Sequence, residues 1–253
     1  MAGRGERGGG GIALLTERVR LVAETGSTNA DLRVLAGAGL PEGHWLRAER
    51  QTAGRGRLGR DWLSPAGNLH ASTLIRLRPG DPPVTGLGLL LGIAVHAALS
   101  DLLPHGAFLL KWPNDVMVGG AKLAGMLLER EGDGVVAGIG VNVASAPQLP
   151  DRETIALADL PGGTTIDAAA VLDALVPAVD HWLALWRAQG NGEIIAAWLK
   201  RAHPIGTPLN VSGGSITPQC GRFLGLGGDG ALILGLEDGT QIIIHSGDVG
   251  MLP

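Results

Sequence analysis

The sequence predicts an α+β fold in which a mixed β-sheet flanked by helices is followed by a small C-terminal β-barrel. Strand-like and helix-like patterns alternate along roughly the first 200 residues, whereas short β segments with tight turns fill the chain from about residue 205 onward. The 253 residues, 45% of them hydrophobic, are enough for one large domain with a small appendage. We therefore divide the chain into a flexible tail at 1–11, a main domain at 12–203 and a barrel domain at 204–253.

The charge balance and the single cysteine argue against several classes of protein. Lys and Arg number 20 against 24 Asp and Glu, a net charge of −4, which disfavours a protein that wraps nucleic acid. Cys220 stands alone, so no internal disulfide is possible and a reducing, cytoplasmic compartment is favoured. Residues 82–100 carry no Asp, Glu, Lys or Arg, but Pro82, Pro83 and several polar residues interrupt them. We interpret this segment as a buried helix rather than a membrane span.

The N-terminal half begins with a strand, a polar turn and a helix over residues 18–40. Ser27 or Thr28 is placed to cap that helix, because a hydroxyl can accept from its first free N–H groups. A second strand over residues 44–51 precedes a long loop. From position 69 to 77 alternate residues are apolar, which predicts a third strand with one buried and one exposed face.

The C-terminal half contains further strands, two helices and the β-rich tail. The strands cover residues 107–112, 116–131 and 134–144. Glycine pairs beside them predict tight turns. Helical patterning covers residues 164–199 with Asp167 at its start, and Pro177 is expected to kink or break it. Asp238 and Gly239 separate two apolar runs and predict a hairpin.

An arginine- and glycine-rich loop, "QTAGRGRLGRDW" at residues 51–62, follows the second strand. Glycines let backbone amides approach an anion, and Arg55, Arg57 and Arg60 supply permanently charged donors that match phosphate or carboxylate. The loop is therefore suited to a ligand with several negative charges. A solvated turn is one alternative. An RNA-binding Arg-Gly segment is another, although such segments are repeated and disordered, whereas this loop is single and lies between two strands.

Three polar motifs follow the buried helix. "KWPNDV", residues 111–116, presents the Asn114 amide and the Asp115 carboxylate at the end of a strand, although Pro-Asn-Asp is also ordinary turn chemistry. Lys122 lies among apolar residues and glycines in "AKLAGMLLE", where it can direct a point charge at an anion. Asn142 lies in the apolar strand "GIGVNV" and needs either a hydrogen bond in the core or a ligand.

A further motif, "ETGSTNADL", offers Ser27, Thr28 and Asn29 either as a helix cap or as partners for an uncharged polar ligand. In their order along the chain, "TGSTN", "QTAGRGRLGRDWLSP", "KWPND", "KLAGMLLE", "GIGVNV" and the β tail resemble the biotin protein ligases. "GRGRLGR" and "KWPND" with "KLAG" are the most specific parts, and the resemblance covers nearly all of the chain from Glu24. The 23 residues before it are too few for a helix-turn-helix, so we expect the monofunctional type without an N-terminal DNA-binding domain.

The resemblance implies a fold and an activity. The fold is the mixed sheet of the biotin/lipoate ligases, similar to class II synthetases, with a catalytic domain at 12–203 and an SH3-like C-terminal barrel. The activity is the condensation of biotin with ATP, accompanied by Mg²⁺, to biotinyl-AMP. The biotinyl group then passes to a lysine of the biotin carboxyl carrier domain of a carboxylase. We expect a cytoplasmic monomer or weak homodimer that binds neither DNA nor membranes.

The resemblance also implies roles for the residues that match its motifs. Lys122 and Arg57 would lie at the biotin carboxylate and the α-phosphate, and Asp115 would orient the acceptor lysine or assist its deprotonation. The residues expected to contact biotin are Ser27, Thr28, Asn29, Gln51, Gly54, Arg55, Gly56, Arg57, His70, Lys122, Gly125, Leu127, Gly138 and Gly140. Those expected to contact ATP are Arg57, Arg60, Trp62, Asn114, Lys122 and Asn142, with Trp62 near the adenine. The sequence identifies no metal ligand.

One residue departs from the family pattern. His70 occupies a strand position where the family commonly has an aromatic residue against the biotin ring, and the chain has no tyrosine. The loop glycines predict that residues 54–62 are disordered without ligand and close over biotin, shielding the acyl-adenylate from water. The alternative functions are a lipoate-type acyl ligase and a non-catalytic biotin-binding protein. The arginine loop and "KWPND" favour biotin over lipoate.

Overall fold

A seven-stranded mixed sheet forms the centre of the molecule. The structure is a computed structural model that describes residues 18–213 and 216–252, so the predicted tail at 1–11 lies outside the described residues. The strands are β1 (Val19–Thr25), β2 (Trp45–Gln51), β3 (Leu69–Arg76), β4 (Leu109–Lys111), β5 (Asp115–Val118), β6 (Ala121–Glu131) and β7 (Gly134–Val141). Their order across the sheet is β1-β2-β3-β7-β6-β5-β4. β1 and β2 pair in parallel and the other neighbours pair antiparallel, which confirms the predicted mixed sheet.

The described residues form four α-helices, of which three pack on this sheet and the fourth packs on its neighbouring helices. They are α1 (Thr28–Gly37), α2 (Gly86–Leu102), α3 (Ala168–Gln189) and α4 (Asn191–Leu199). α1 is the crossover between the two parallel strands, and Ser27 caps it by accepting from the Ala30 N–H, as predicted. Asp167 caps α3 in the same way through the Ala170 N–H. α3 is long and apolar enough to span a membrane, but its buried residues pack in the core beside α2, as in the core helix of a globular domain.

The two faces of the sheet differ in what covers them. On the packed face, Ala71, Ile75, Ala137 and Ile139 lie under α2 and α3 in one large hydrophobic cluster. On the opposite, open face, α1 covers one end, where Leu74 packs in a second, smaller cluster. The remainder of the open face carries small and polar residues. Because successive residues of a strand point to opposite faces, the same strands build both surfaces.

Two sequence expectations for these elements are wrong. β3 is buried on both faces rather than half-buried, with His70 1% and Ser72 0% exposed, because α1 and the arginine loop cover the side predicted to face water. α3 is not broken at Pro177. The proline ring lies on the exposed side of the helix, where water can satisfy the carbonyl that loses its partner, and the buried side of α3 holds the helix in place.

The C-terminal segment forms a separate five-stranded antiparallel sheet. Its strands are β8 (Pro208–Gly213), β9 (Ile216–Leu226), β10 (Leu232–Gly235), β11 (Gln241–Ile244) and β12 (Asp248–Met251), in the order β11-β10-β9-β8-β12. The predicted Asp238-Gly239 hairpin turn joins β10 to β11, and Gly239 has φ +84°. β11 and β12 are short and lie at opposite edges without pairing, so the described residues do not form the closed barrel that the sequence predicts. Closure requires strand tilt and stagger that bring the two edges together.

Candidate active site

A cavity of about 720 Å³ opens on the open face of the central sheet, bounded by the arginine loop, the segment 147–154 and the C-terminal strands. It collects almost every residue that the sequence assigns to catalysis, biotin or ATP. These are Ser27, Thr28, Asn29, Gln51, Arg55, Gly56, Arg57, Arg60, Trp62, His70, Asn114, Asp115, Lys122, Gly125, Leu127, Gly138, Gly140 and Asn142. Gly54 does not line it. A methyl group at Gly54 would lie 2.5 Å from the Trp62 carbonyl oxygen, so this glycine shapes the loop itself.

The floor of the cavity is a row of paired residues across the sheet. His70 of β3 pairs with Gly140 of β7, Gly140 pairs with Gly125 of β6, and Gly125 pairs with Asp115 of β5. A methyl group at Gly140 would lie 2.4 Å from Cε2 of Trp62, and one at Gly125 would lie 3.2 Å from its Cζ3. The Trp62 indole therefore packs on the two glycines that the sequence assigns to biotin, whereas the sequence predicts Trp62 near the adenine.

A second row carries a hydrogen-bond network at the end of the cavity nearest α1. The Ser72 hydroxyl donates to Asn29 Oδ1 at 2.6 Å and lies 2.7 Å from the Thr28 hydroxyl. Gln51 Oε1 accepts from the Thr28 backbone N–H at 2.9 Å. Gly138 leaves room for Asn29, since a methyl group there would lie 2.3 Å from Asn29 Oδ1. This end therefore holds short polar side chains in fixed positions, and their binding of an uncharged polar group stays a prediction for Ser27, Thr28 and Asn29.

The opposite end of the floor is cationic around one buried carboxylate. Asp115 lies 2.6 Å from Lys122 Nζ and 3.3 Å from Lys111 Nζ. Burial alone would raise the pKa of Asp115, but the two lysines outweigh it and hold the pKa below its ordinary range. Lys122 also lies 5.4 Å from the centre of the Trp62 ring, a cation–π distance. The two lysines leave one net positive charge beside the glycine floor.

The three loop arginines are not equivalent. Arg57 points inward, and its guanidinium donates to Asn114 Oδ1 at 3.2 Å and to the Gly247 carbonyl at 3.3 Å. Burial, reinforced by the nearby Arg60, lowers the pKa of Arg57 despite two carboxylates in range. Arg60 pairs with Asp248 of β12 at 2.6 Å, whereas Arg55 is exposed. The loop therefore directs one guanidinium into the cavity and fastens a second to the C-terminal sheet.

The asparagines predicted to hold the nucleotide are engaged with the backbone. Asn114 Nδ2 donates to the Met126 carbonyl at 2.6 Å. Asn142 Nδ2 donates to the Lys122 carbonyl at 3.4 Å and to the Ile155 carbonyl at 3.3 Å. Both residues line the cavity, but these bonds brace its walls, and Asn142 ties the segment after β7 to the strand that carries Lys122.

Several cavity residues were missed by the sequence reasoning. Lys111 could have been identified from the sequence, because it stands in "KWPND". In the structure it pairs with Asp115 across β4 and β5. Ser72 does not line the cavity itself, but it bonds to Asn29 and Thr28, which do, and the sequence placed it on the face of β3 predicted to be exposed. Arg152, which pairs with Asp151, and Asp248 lie in segments with no motif, so only the tertiary structure places them here. Within 18–213 and 216–252, no three His, Cys, Asp or Glu side chains are grouped to hold a metal ion.

Comparison with known proteins agrees with this geometry. The model of the Biotin/lipoate A/B protein ligase family matches residues 31–144. A Paracoccus denitrificans protein named biotin–[acetyl-CoA-carboxylase] ligase is 38% identical over 233 residues, 88% of this chain and 96% of that protein. The chain belongs to the biotin protein ligase family. A Mycobacterium tuberculosis family member of the same name is 36% identical over 235 residues, covering 90% of this chain and 87% of its own length.

A solved structure of a family member supports the assignment. The biotin protein ligase from Aquifex aeolicus, in complex with biotin and ATP, superposes with a TM-score of 0.80 at 28% identity. The match covers 93% of this chain and 99% of the Aquifex chain, so it includes the C-terminal sheet as well as the central sheet.

Proposed function

We propose that this protein is an ATP-dependent ligase that activates biotin as biotinyl-5′-AMP and transfers the biotinyl group to a lysine of a biotin carboxyl carrier domain. The observation that carries the proposal is the polarity of one cavity. A neutral hydrogen-bond network around Thr28 and Gln51 suits the ureido head of biotin. A cationic end with Lys122 and Arg57 suits its carboxylate and a phosphate, and a floor of glycines joins the two ends.

In the first step a carboxylate oxygen of biotin attacks the α-phosphorus of ATP. The bond from that phosphorus to the bridging oxygen breaks, and pyrophosphate leaves. Both reactants are anionic, so the protein must neutralise them and hold them in line. We assign this role to Lys122 and Arg57, because both side chains are restrained by partners in the cavity wall. Restrained charges need little reorganisation when charge develops on the phosphorus oxygens.

In the second step the amine of the acceptor lysine attacks the acyl carbon, and AMP leaves. The sequence suggests that Asp115 orients or deprotonates this amine. Its lowered pKa makes Asp115 a weak base, and its oxygens face Lys122 and Lys111. We therefore propose that Asp115 acts by holding Lys122 in place rather than by removing a proton.

The finer assignments extend the same proposal. Trp62 and Asn142 would contact the nucleotide from the loop and from the end of β7, and Asp248 would hold Arg60 near the phosphates. Mg²⁺ would enter bound to ATP. We propose the domain division at 203/204, an SH3-like relationship for the C-terminal sheet, a cytoplasmic location and a monomer or weak homodimer. Closure of the loop over biotin stays a prediction.

The test is biotin-dependent exchange of labelled pyrophosphate into ATP, with purified protein and Mg²⁺. We expect exchange that requires biotin, is not supported by lipoate, and falls by a factor of about 100 or more in Arg57→Ala and Lys122→Ala. Exposed Arg20→Ala and Lys200→Ala are the matched controls and should keep wild-type exchange. Circular dichroism must show that all four variants are folded.

The alternatives give different results. Exchange with lipoate but not biotin would identify a lipoate-type ligase. Biotin binding without any exchange would identify a non-catalytic binding protein. Either outcome would overturn the proposal.

A further inference from the structure

Glu129 ends the motif "AKLAGMLLE", and the proposed reaction gives it no role. It lies on the open face of β6 beside α1, two residues beyond Leu127 of the cavity wall. Its Oε2 accepts a hydrogen bond at 2.8 Å from Nδ2 of Asn29. Because Asn29 lines the cavity, this bond connects Glu129 to the end of the cavity nearest α1.

The spacing of residues on α1 and β6 brings two pairs of side chains into contact. Asn29 and Arg33 are four residues apart on the helix, a rise of about 6 Å. Glu129 and Glu131 are two residues apart on the strand, a rise of about 7 Å. Asn29 therefore meets Glu129, while Arg33 Nη2 pairs with Glu131 at 2.8 Å and Arg33 Nη1 lies 3.4 Å from Glu129. Both glutamates contact the same arginine, but of the two only Glu129 bonds to Asn29.

Two acceptors fix the orientation of the Asn29 amide. Nδ2 lies 2.8 Å from the Glu129 carboxylate and 3.4 Å from the Leu127 carbonyl oxygen. A carboxylate and a carbonyl oxygen only accept and an amide nitrogen only donates, so Nδ2 must face them and Oδ1 must face Ser72. The bond to Leu127 is long, so Glu129 supplies most of this preference.

The orientation of Asn29 sets the direction of the hydroxyls next to it. Asn29 Oδ1 accepts from the Ser72 hydroxyl at 2.6 Å. A hydroxyl has one hydrogen, so in the 2.7 Å contact between Ser72 and Thr28 it is Thr28 that donates. Asn29, Ser72 and Thr28 are 5%, 0% and 3% exposed, so water does not readily replace a lost partner. The four residues form one directed hydrogen-bond chain, from Thr28 through Ser72 and Asn29 to Glu129.

Gln51 offers a weaker acceptor for the Thr28 hydrogen. Its Oε1 lies 3.1 Å from the Thr28 hydroxyl, against 2.7 Å for Ser72, and it already accepts from the Thr28 backbone N–H at 2.9 Å. The shorter contact favours the bond to Ser72. The Thr28 oxygen is then left with lone pairs that accept, so this part of the cavity suits an N–H donor.

We propose that Glu129 is a positioning residue for biotin, which fixes the direction of the hydrogen-bond chain so that the Thr28 hydroxyl accepts from a ureido N–H. The inference rests on the proposed function, which places the ureido head of biotin at this end of the cavity. A reversed chain would point the Thr28 hydrogen at that N–H and repel it. Lipoate carries no N–H in its ring, so the same direction also favours biotin over lipoate.

Two glutamates on one strand separate this role from ion pairing with Arg33. In Glu129→Gln the new amide can donate to either end of the Asn29 amide, so the orientation of Asn29 is no longer fixed. The Kd for biotin, measured by calorimetry, should rise roughly tenfold. Glu131→Gln is the matched control and should change the Kd less than about twofold. The KM for ATP should stay within about twofold of wild type in both variants, because the cationic end of the cavity is unchanged.

Exchange of donor and acceptor between the two partners tests the direction itself. Asn29→Asp alone brings two carboxylates together and should weaken biotin binding at least as much as Glu129→Gln. In the double variant Asn29→Asp/Glu129→Gln the new amide can donate to the new carboxylate, whose other oxygen accepts from Ser72. The Kd for biotin should therefore return to within about threefold of wild type. Circular dichroism must show that each variant is folded.

The outcomes distinguish the inference from the proposed function. Equal Kd values in Glu129→Gln and Glu131→Gln, or losses that add in the double variant, would overturn the role of Glu129. Wild-type protein that binds biotin without pyrophosphate exchange would overturn the proposed function, and the Kd comparison would still decide the inference. Wild-type protein that binds no biotin would overturn both.

Discussion

The same strands build both faces of the central sheet, but one face packs in the hydrophobic core and the other forms the cavity. Ile139 and Gly140 are neighbours in β7, yet Ile139 lies in the large hydrophobic cluster and Gly140 lies beneath Trp62 in the cavity. On the packed face, side-chain volume stabilises the fold. On the open face, the absence of side chains makes room for an indole and a ligand. A period of two residues thus separates stability from function along one strand.

The largest expected difference is between the neighbours in β7. In Gly140→Ala the new methyl group would lie 2.4 Å from Cε2 of Trp62, so the indole and the arginine loop must move. We expect biotin-dependent pyrophosphate exchange to fall by about two orders of magnitude, since small misplacements in an active site are costly. The free energy of unfolding should change by less than about 1 kcal/mol, because Trp62 lies on a loop and alanine suits a strand better than glycine.

Ile139→Ala is the matched change on the packed face. It removes buried volume and should lower the free energy of unfolding by about 2–4 kcal/mol, measured by urea denaturation. The exchange rate per folded molecule should stay within about twofold of wild type. If Ile139→Ala impairs exchange as strongly as Gly140→Ala, the two faces are not functionally separate.

A smaller effect is expected when the hydroxyls of Ser72 and Thr73 in β3, which point to opposite faces of the sheet, are removed. Ser72→Ala leaves Asn29 Oδ1 without its donor and removes one of the two partners of the Thr28 hydroxyl on the open face. It should lower stability by about 1–2 kcal/mol and raise the KM for biotin several-fold. Thr73→Val removes a bond to the His44 carbonyl on the other face and should lower stability by about 1 kcal/mol with KM unchanged. Equal KM values in the two variants would contradict this assignment.

The smallest effect concerns acid sensitivity. Burial lowers the pKa of His70, His96 and His203 below the ordinary value of 6.5. The unfolded chain therefore takes up protons first as the pH falls below 6.5, and the free energy of unfolding declines until the pH reaches the folded-state pKa values. Each histidine should account for less than about 1 kcal/mol at about pH 6.

Two of these histidines should differ in their effect on activity, because His70 lines the cavity and His96 does not. His96 lies on α2, away from the cavity. His96→Gln should therefore remove the part of the decline in unfolding free energy between about pH 7 and pH 6 that His96 causes, and should leave pyrophosphate exchange unchanged. His70→Gln should remove a similar share but also weaken biotin binding. Urea denaturation at both pH values measures the shares. The carboxylates with lowered pKa values, Asp115 and Glu42, titrate further down in pH and do not enter this window. An unchanged pH dependence in both variants would exclude the histidines as its source.

Local sequence signals predicted much of the fold and of the site. Ser27 and Asp167 cap their helices as the sequence indicates, because a cap depends on a few adjacent residues. Nearly all of the residues that the motifs selected line the cavity. The errors lie where distant parts of the chain meet: β3 is covered on both faces, α3 continues through Pro177, and β11 and β12 do not close a barrel.

The sequence by itself determined which residues are available to the site: an arginine loop, a lysine after "KWPND", glycines in two apolar strands and a polar turn ahead of α1. Only the tertiary structure decided their arrangement. Asp115 joins two lysines, Arg60 turns to Asp248, and Trp62 lies on Gly125 and Gly140. The physical reason is strand register. Pairing between residues far apart in the chain sets which side chains share a face, and motif spacing carries no information about that pairing.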